Sequence, residues 1–132
     1  MLFENNFIIF ILIVSVVTLF IFAILFNKNE KKTLPTKYNI AFKKFREKDN
    51  EGALINAFIA LETILKNEFG KNYTSFELIN KISDKKLKSK LHNFRIARNK
   101  LIHENRNVSG GEVESYLKTL SEIAKKFGYK SK

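Results

Sequence analysis

Residues 84–103 read DKKLKSKLHNFRIARNKLIH. At about 100° per residue, Leu87, Leu91, Phe94, Ala97, Leu101 and Ile102 fall on one arc of a helix, and Asp84 stands before it as an N-cap. Arg98 projects into the middle of that arc. A guanidinium does not deprotonate in proteins, and burying one unpaired is very costly. A bundle that needed only a core would place Leu there. Arg98 must therefore meet a carboxylate, line a cleft, or sit at an interface with another chain.

Asn99 and His103 are four residues apart and share a neighbouring polar face, close to His92. On an ideal helix Arg98 and His103 diverge by roughly 140°. They converge on one ligand only if the helix ends or kinks there, or if Arg98 wraps round. The following residues, 104–111, read ENRNVSGG and are rich in helix breakers, so an end is expected in this region.

The same periodicity places the other helices. Tyr38, Ala41, Phe42 and Phe45 give a short helix after Pro35, the single proline. Residues 49–52, DNEG, form a turn with a built-in N-cap, and the next helix runs to about Glu68 before Phe69-Gly70 ends it. Ser75 is expected to cap a short segment containing Phe76, Leu78, Ile79 and Ile82. Beyond Gly110-Gly111, Val113, Tyr116, Leu117, Leu120, Ile123, Ala124 and Phe127 form an apolar stripe closed by Gly128. No segment alternates with a strand's period. The expectation is all-α: an N-terminal transmembrane helix followed by a small bundle of four to five helices.

Residues 7–26 carry no charge, and Ser15 and Thr18 are their only hydroxyls. Twenty helical residues span about 30 Å, the thickness of a bilayer's hydrocarbon core. A signal peptide would want a basic start, a shorter apolar run and a small-residue cleavage site. The chain begins MLFENN and the run ends AILF, so an uncleaved anchor is the better reading. Glu4 is the only charge before the run, whereas Lys28, Lys31, Lys32 and Lys37 follow it. Lysine-rich flanks stay cytoplasmic. The expected layout is a short external N-terminus (1–6), a span (7–26), a linker (27–36) and a cytoplasmic domain (37–132) at the cell membrane. The absence of cysteine agrees with a reducing compartment.

All 24 basic residues lie beyond the apolar run, against 12 of the 13 acidic ones, which leaves the remainder at +12. That charge suits an anionic partner, either a nucleic-acid backbone or the anionic inner leaflet. The leaflet accounts for the first lysines. The run Lys81, Lys85, Lys86, Lys88, Lys90 and Arg95 leads into the Arg98 region, and there a solvated face competes with phosphate binding. Within it Lys85, Lys86, Lys88 and Arg95 are the candidate RNA-phosphate contacts.

The hexapeptide Arg98-Asn99-Lys100-Leu101-Ile102-His103 resembles the signature of the HEPN superfamily: an Arg, a polar residue directly after it, and a His five positions on. Upstream, residues 53–66, ALINAFIALETILK, are similar to that family's early helix. The resemblance covers roughly residues 37–128. It implies a small helical bundle, commonly a homodimer with both motifs facing a shared cleft. It further implies metal-independent RNA cleavage by attack of the ribose 2′-hydroxyl on the adjacent phosphate, often in a toxin or defence role with an antitoxin-like partner. Under that resemblance His103 is the acid/base, Arg98 the phosphate clamp and Asn99 a positioning residue. Non-catalytic members exist, so a dimerising or docking module at the membrane is the rival. Taken alone, His103 reads better as a helix-terminal histidine favoured by the dipole; Arg98 in the apolar arc and Asn99 beside it reverse that preference. Glu62, at the edge of its helix's apolar face, either accepts Arg98 or stands as a solvated edge residue. His92 reads as a surface residue. Two histidines and no cysteine do not make a transition-metal site, and no cofactor motif is present.

Overall fold

The computed structural model describes residues 2–28 and 32–131. They belong to two compact units, Met1–Lys31 and Lys32–Lys132. The first is one helix, α1 (Leu2–Lys28), in which Glu4–Leu25 is long and apolar enough to cross a bilayer. Its large apolar side chains from Phe7 to Leu25 are exposed. The Thr18 hydroxyl donates to the Val14 carbonyl at 2.7 Å, so this polar group is satisfied inside the helix.

The second unit runs β1 (Lys32–Thr33), α2 (Thr36–Arg46), α3 (Asn50–Phe69), α4 (Ser75–Asn80), α5 (Lys85–Glu104), α6 (Gly110–Lys126) and β2 (Tyr129–Lys130). This is the all-α bundle expected from periodicity. α3 is its axis, packing against α2, α4, α5 and α6. It buries Ala53, Leu54, Ala57, Phe58, Ala60, Leu61, Ile64 and Leu65. Three of these are alanines, whose small side chains let neighbouring helices approach closely. Phe58 meets Phe94 of α5 at 5.5 Å between ring centroids, and Phe94 stacks on Tyr116 of α6 at 4.9 Å. One aromatic row thus ties the three longest helices of the bundle together.

The local signals hold at most helix ends. The Asp49 carboxylate accepts from the Gly52 amide at 2.9 Å, and Asp84 accepts from the Lys86 and Leu87 amides at 3.0 and 3.1 Å. Thr74, rather than Ser75, caps α4, in a reciprocal capping box with Glu77. Ser75 is the first helical residue and spends its hydroxyl elsewhere. Gly110 and Gly111 open α6 instead of preceding it, because Ser109 caps that helix through the Glu112 amide. Gly70 follows α3 with φ 120° and ψ 156°, a region open essentially to glycine, and a Cβ there would lie 3.2 Å from the Tyr73 ring. Gly70→Ala is expected to cost about 1–3 kcal/mol, measured by chemical denaturation.

The short parallel pair β1–β2 was not legible in the sequence. Lys32 aligns with Tyr129 and Thr33 with Lys130, and the Leu34 amide donates to the Lys130 carbonyl at 3.3 Å. At this end of the bundle Phe69 meets Phe127 edge-on at 5.8 Å, and Asn67 donates to the Tyr129 hydroxyl at 3.3 Å. At the other end the Asn50 amide nitrogen reaches the Val108 carbonyl at 3.5 Å. The start of α2 and the ends of α3 and α6 therefore lie together, opposite the α5–α6 loop.

Candidate functional site

Leu87, Leu91, Phe94 and Leu101 of α5 are buried as the helical arc required, and Ala97 is half-buried. Ile102 departs from it, remaining 47% exposed. It lies at the edge of the arc in the last turn of the helix. Arg98 occupies the middle of the arc and is half-buried. Its guanidinium carbon sits 5.2 Å above the Phe58 ring centroid, and its Nη1 donates to the Asn99 side-chain oxygen at 3.0 Å. Among the described residues it forms no ion pair with a carboxylate. An aromatic face attracts the cation by about 0.5–2 kcal/mol, and the part still open to water spares it full desolvation. The charge is tolerated there without being neutralised.

Glu62 does not supply the missing carboxylate. Its Oε2 accepts from the Ser75 hydroxyl at 3.0 Å and lies 4.0 Å from Lys66 Nζ, one helical turn on. The Ser75 bond joins α3 to the start of α4 and fixes Glu62 away from Arg98.

His103 is exposed in the last turn of α5. The helix runs regularly through Glu104 and stops at Asn105, in the left-handed conformation at φ 51° and ψ 37°. The break thus comes after His103, not between it and Arg98. Within one copy the two side chains keep the angular separation of an ideal helix, roughly 140°. The structure brings Arg98 and Asn99 together and leaves His103 apart.

The four basic candidates also divide. Helical phase places Lys88 and Arg95 on one side and Lys86 on nearly the opposite one. The Arg95 guanidinium lies 5.3 Å from the Phe76 ring of α4, beside His92. Lys85 and Lys86 are exposed.

His92 is more engaged than a plain surface residue. Its ring lies 5.2 Å from Phe76, its Nε2 bonds the Asn80 side-chain oxygen at 2.9 Å, and its Nδ1 is buried without a hydrogen-bond partner among the described residues. Burial, then the charges of Arg95 and Lys88, hold its pKa below the ordinary histidine value of 6.5. The folded state consequently binds fewer protons than the unfolded chain. The stability that the neutral ring contributes is present above the unfolded pKa and is lost as pH falls from there through the lowered native value. His92→Leu should flatten the fall in melting temperature between about pH 7 and 5 relative to the parent. An unchanged pH profile would show that this ring is not the responsible group.

Periodicity gave no hint of two grooves beside α5. The larger, about 380 Å³, lies between α5, α6 and the loop joining them, and is lined by Asn93, Ile96, Lys100, Arg106 and Tyr116 among others. The smaller, about 290 Å³, shares Asn93, Glu112 and Tyr116 with it. Burial, then the charge of Glu112, raises the pKa of Tyr116 above its ordinary value. Arg98 and His103 line neither groove. Among the described residues no three His, Cys, Asp or Glu side chains gather as metal ligands.

Comparison with known protein families, characterised proteins and solved structures finds no match for this chain. The functional reading therefore rests on the motif and its geometry.

Proposed function

We propose that the chain is a membrane-anchored, HEPN-type endoribonuclease that cuts RNA without metal at the cytosolic face. The observation that carries this reading is Arg98. It is a cation held on the core face of α5, without a carboxylate partner among the described residues, bonded instead to the adjacent Asn99. Such a guanidinium retains its capacity to grip two phosphate oxygens. Because His103 leaves the same helix in a different direction, the reading requires two copies whose α5 helices face each other across one RNA strand. A shared anchor supports that pairing by confining copies to a surface. Glu4–Leu25 supplies the span, and the lysines that follow it favour a cytoplasmic domain. A toxin or defence role, with an antitoxin-like partner, is carried by the motif resemblance alone.

The divergence of Arg98 and His103 favours a second reading, a non-catalytic module that binds RNA or a protein partner at the membrane. A cleavage assay with the full chain in detergent, under chelator, separates the two. Steeply salt-dependent RNA binding with strand scission supports the nuclease. Binding with intact RNA supports the module.

A further inference from the structure

We infer that the end of the bundle built around β1 and β2 is a docking surface for an anionic lipid leaflet. This rests on the reading of Glu4–Leu25 as a membrane span. Six residues separate Leu25 from Lys32. β1 is thus the first element of the bundle to follow the span along the chain. Strand pairing then draws the C-terminal residues to the same place, Thr33 aligning with Lys130. The sequence separates these lysines widely; the tertiary structure collects them.

The charge at this end is one-sided. Lys32 is paired with Glu68 and lies over the Tyr129 ring. Lys37, Lys125, Lys126 and Lys130 are exposed and, among the described residues, have no carboxylate partner. Lys125 and Lys126 in the last turn of α6 also favour the carbonyl end of that helix, but this effect does not extend to Lys37 at the start of α2 or to Lys130 in β2. An anionic leaflet attracts each nearby lysine by about five-fold in association. The α5–α6 loop lies at the other end of α6, roughly 25 Å away for 17 residues. Docking through the β1–β2 end thus leaves the Arg98–His103 region clear of the lipid.

The chain contains no cysteine, so one introduced at Ser131 carries a single fluorophore, and one at Glu51 reports from the opposite end. The full chain is reconstituted into vesicles of phosphatidylcholine alone or mixed with phosphatidylserine, each containing a nitroxide-headgroup quencher. Quenching at Ser131→Cys should be markedly stronger in the phosphatidylserine mixture and reversed by high salt. It should also be lost when Lys125→Gln, Lys126→Gln and Lys130→Gln are combined, while Glu51→Cys stays unquenched throughout. Equal quenching in the two lipids, or no effect of the triple substitution, overturns the inference while leaving the anchor intact. Failure of the chain to float with neutral vesicles overturns the anchor and this inference with it.

Discussion

The full-length chain carrying His103→Ala is expected to cleave RNA about 100- to 10,000-fold more slowly than the parent without metal, the range over which a positioned acid/base group acts. His103 is exposed and has no bond to another described residue, so its removal should leave the unfolding curve in place. RNA affinity should also survive, since the imidazole is assigned a proton and not a phosphate. Arg98→Lys is the complementary test. It keeps the charge but loses the planar fork and its bond to Asn99, and should lower cleavage by about 100-fold. Two copies must cooperate, so mixing the His103→Ala and Arg98→Lys chains should restore part of the activity if each site draws on both partners. A His103→Ala chain that cuts as fast as the parent removes the assigned chemistry.

Phe94→Ala carries the largest expected effect on stability. Phe94 is fully buried and touches both Phe58 and Tyr116, so its loss empties the row that joins α3, α5 and α6. Truncating a buried phenylalanine costs about 3–5 kcal/mol, against a total of about 5–15 kcal/mol for a typical domain. Phe94 also lies one turn before Arg98 and supports the Phe58 ring on which that guanidinium rests. Loss of fold and loss of site should therefore appear together in this variant, unlike His103→Ala. All four tyrosines lie in the unit Lys32–Lys132. Tyrosine fluorescence during urea denaturation thus follows the bundle without interference from α1. A midpoint close to the parent's would show that the row is not a principal support.

Helix number, most helix ends and the apolar N-terminal segment were legible because each is a local property. Periodicity of 3.6 residues, a capping side chain and a run of uncharged residues involve neighbours within one or two turns. Where local signals competed, the sequence was less decisive. Thr74 and Ser75 both cap helices readily; the Thr74–Glu77 capping box assigns the cap to Thr74, and Ser75 is bonded to Glu62 instead. Ile102, at the edge of the arc, likewise stays exposed while its neighbour Leu101 is buried, a difference that periodicity alone did not separate.

The sequence by itself determined that a cation stands in the apolar arc of α5, that Asn99 adjoins it, and that a long uncharged helix precedes a basic domain. Tertiary structure decided what those features meet. It set Arg98 over Phe58 instead of against Glu62, left His103 outside both grooves, and brought Lys130 beside the residues that follow the apolar helix. The physical reason is range. A helix's phase is written in adjacent residues, whereas the partner of an ion, the walls of a groove and the pairing of two-residue strands depend on how separate elements pack.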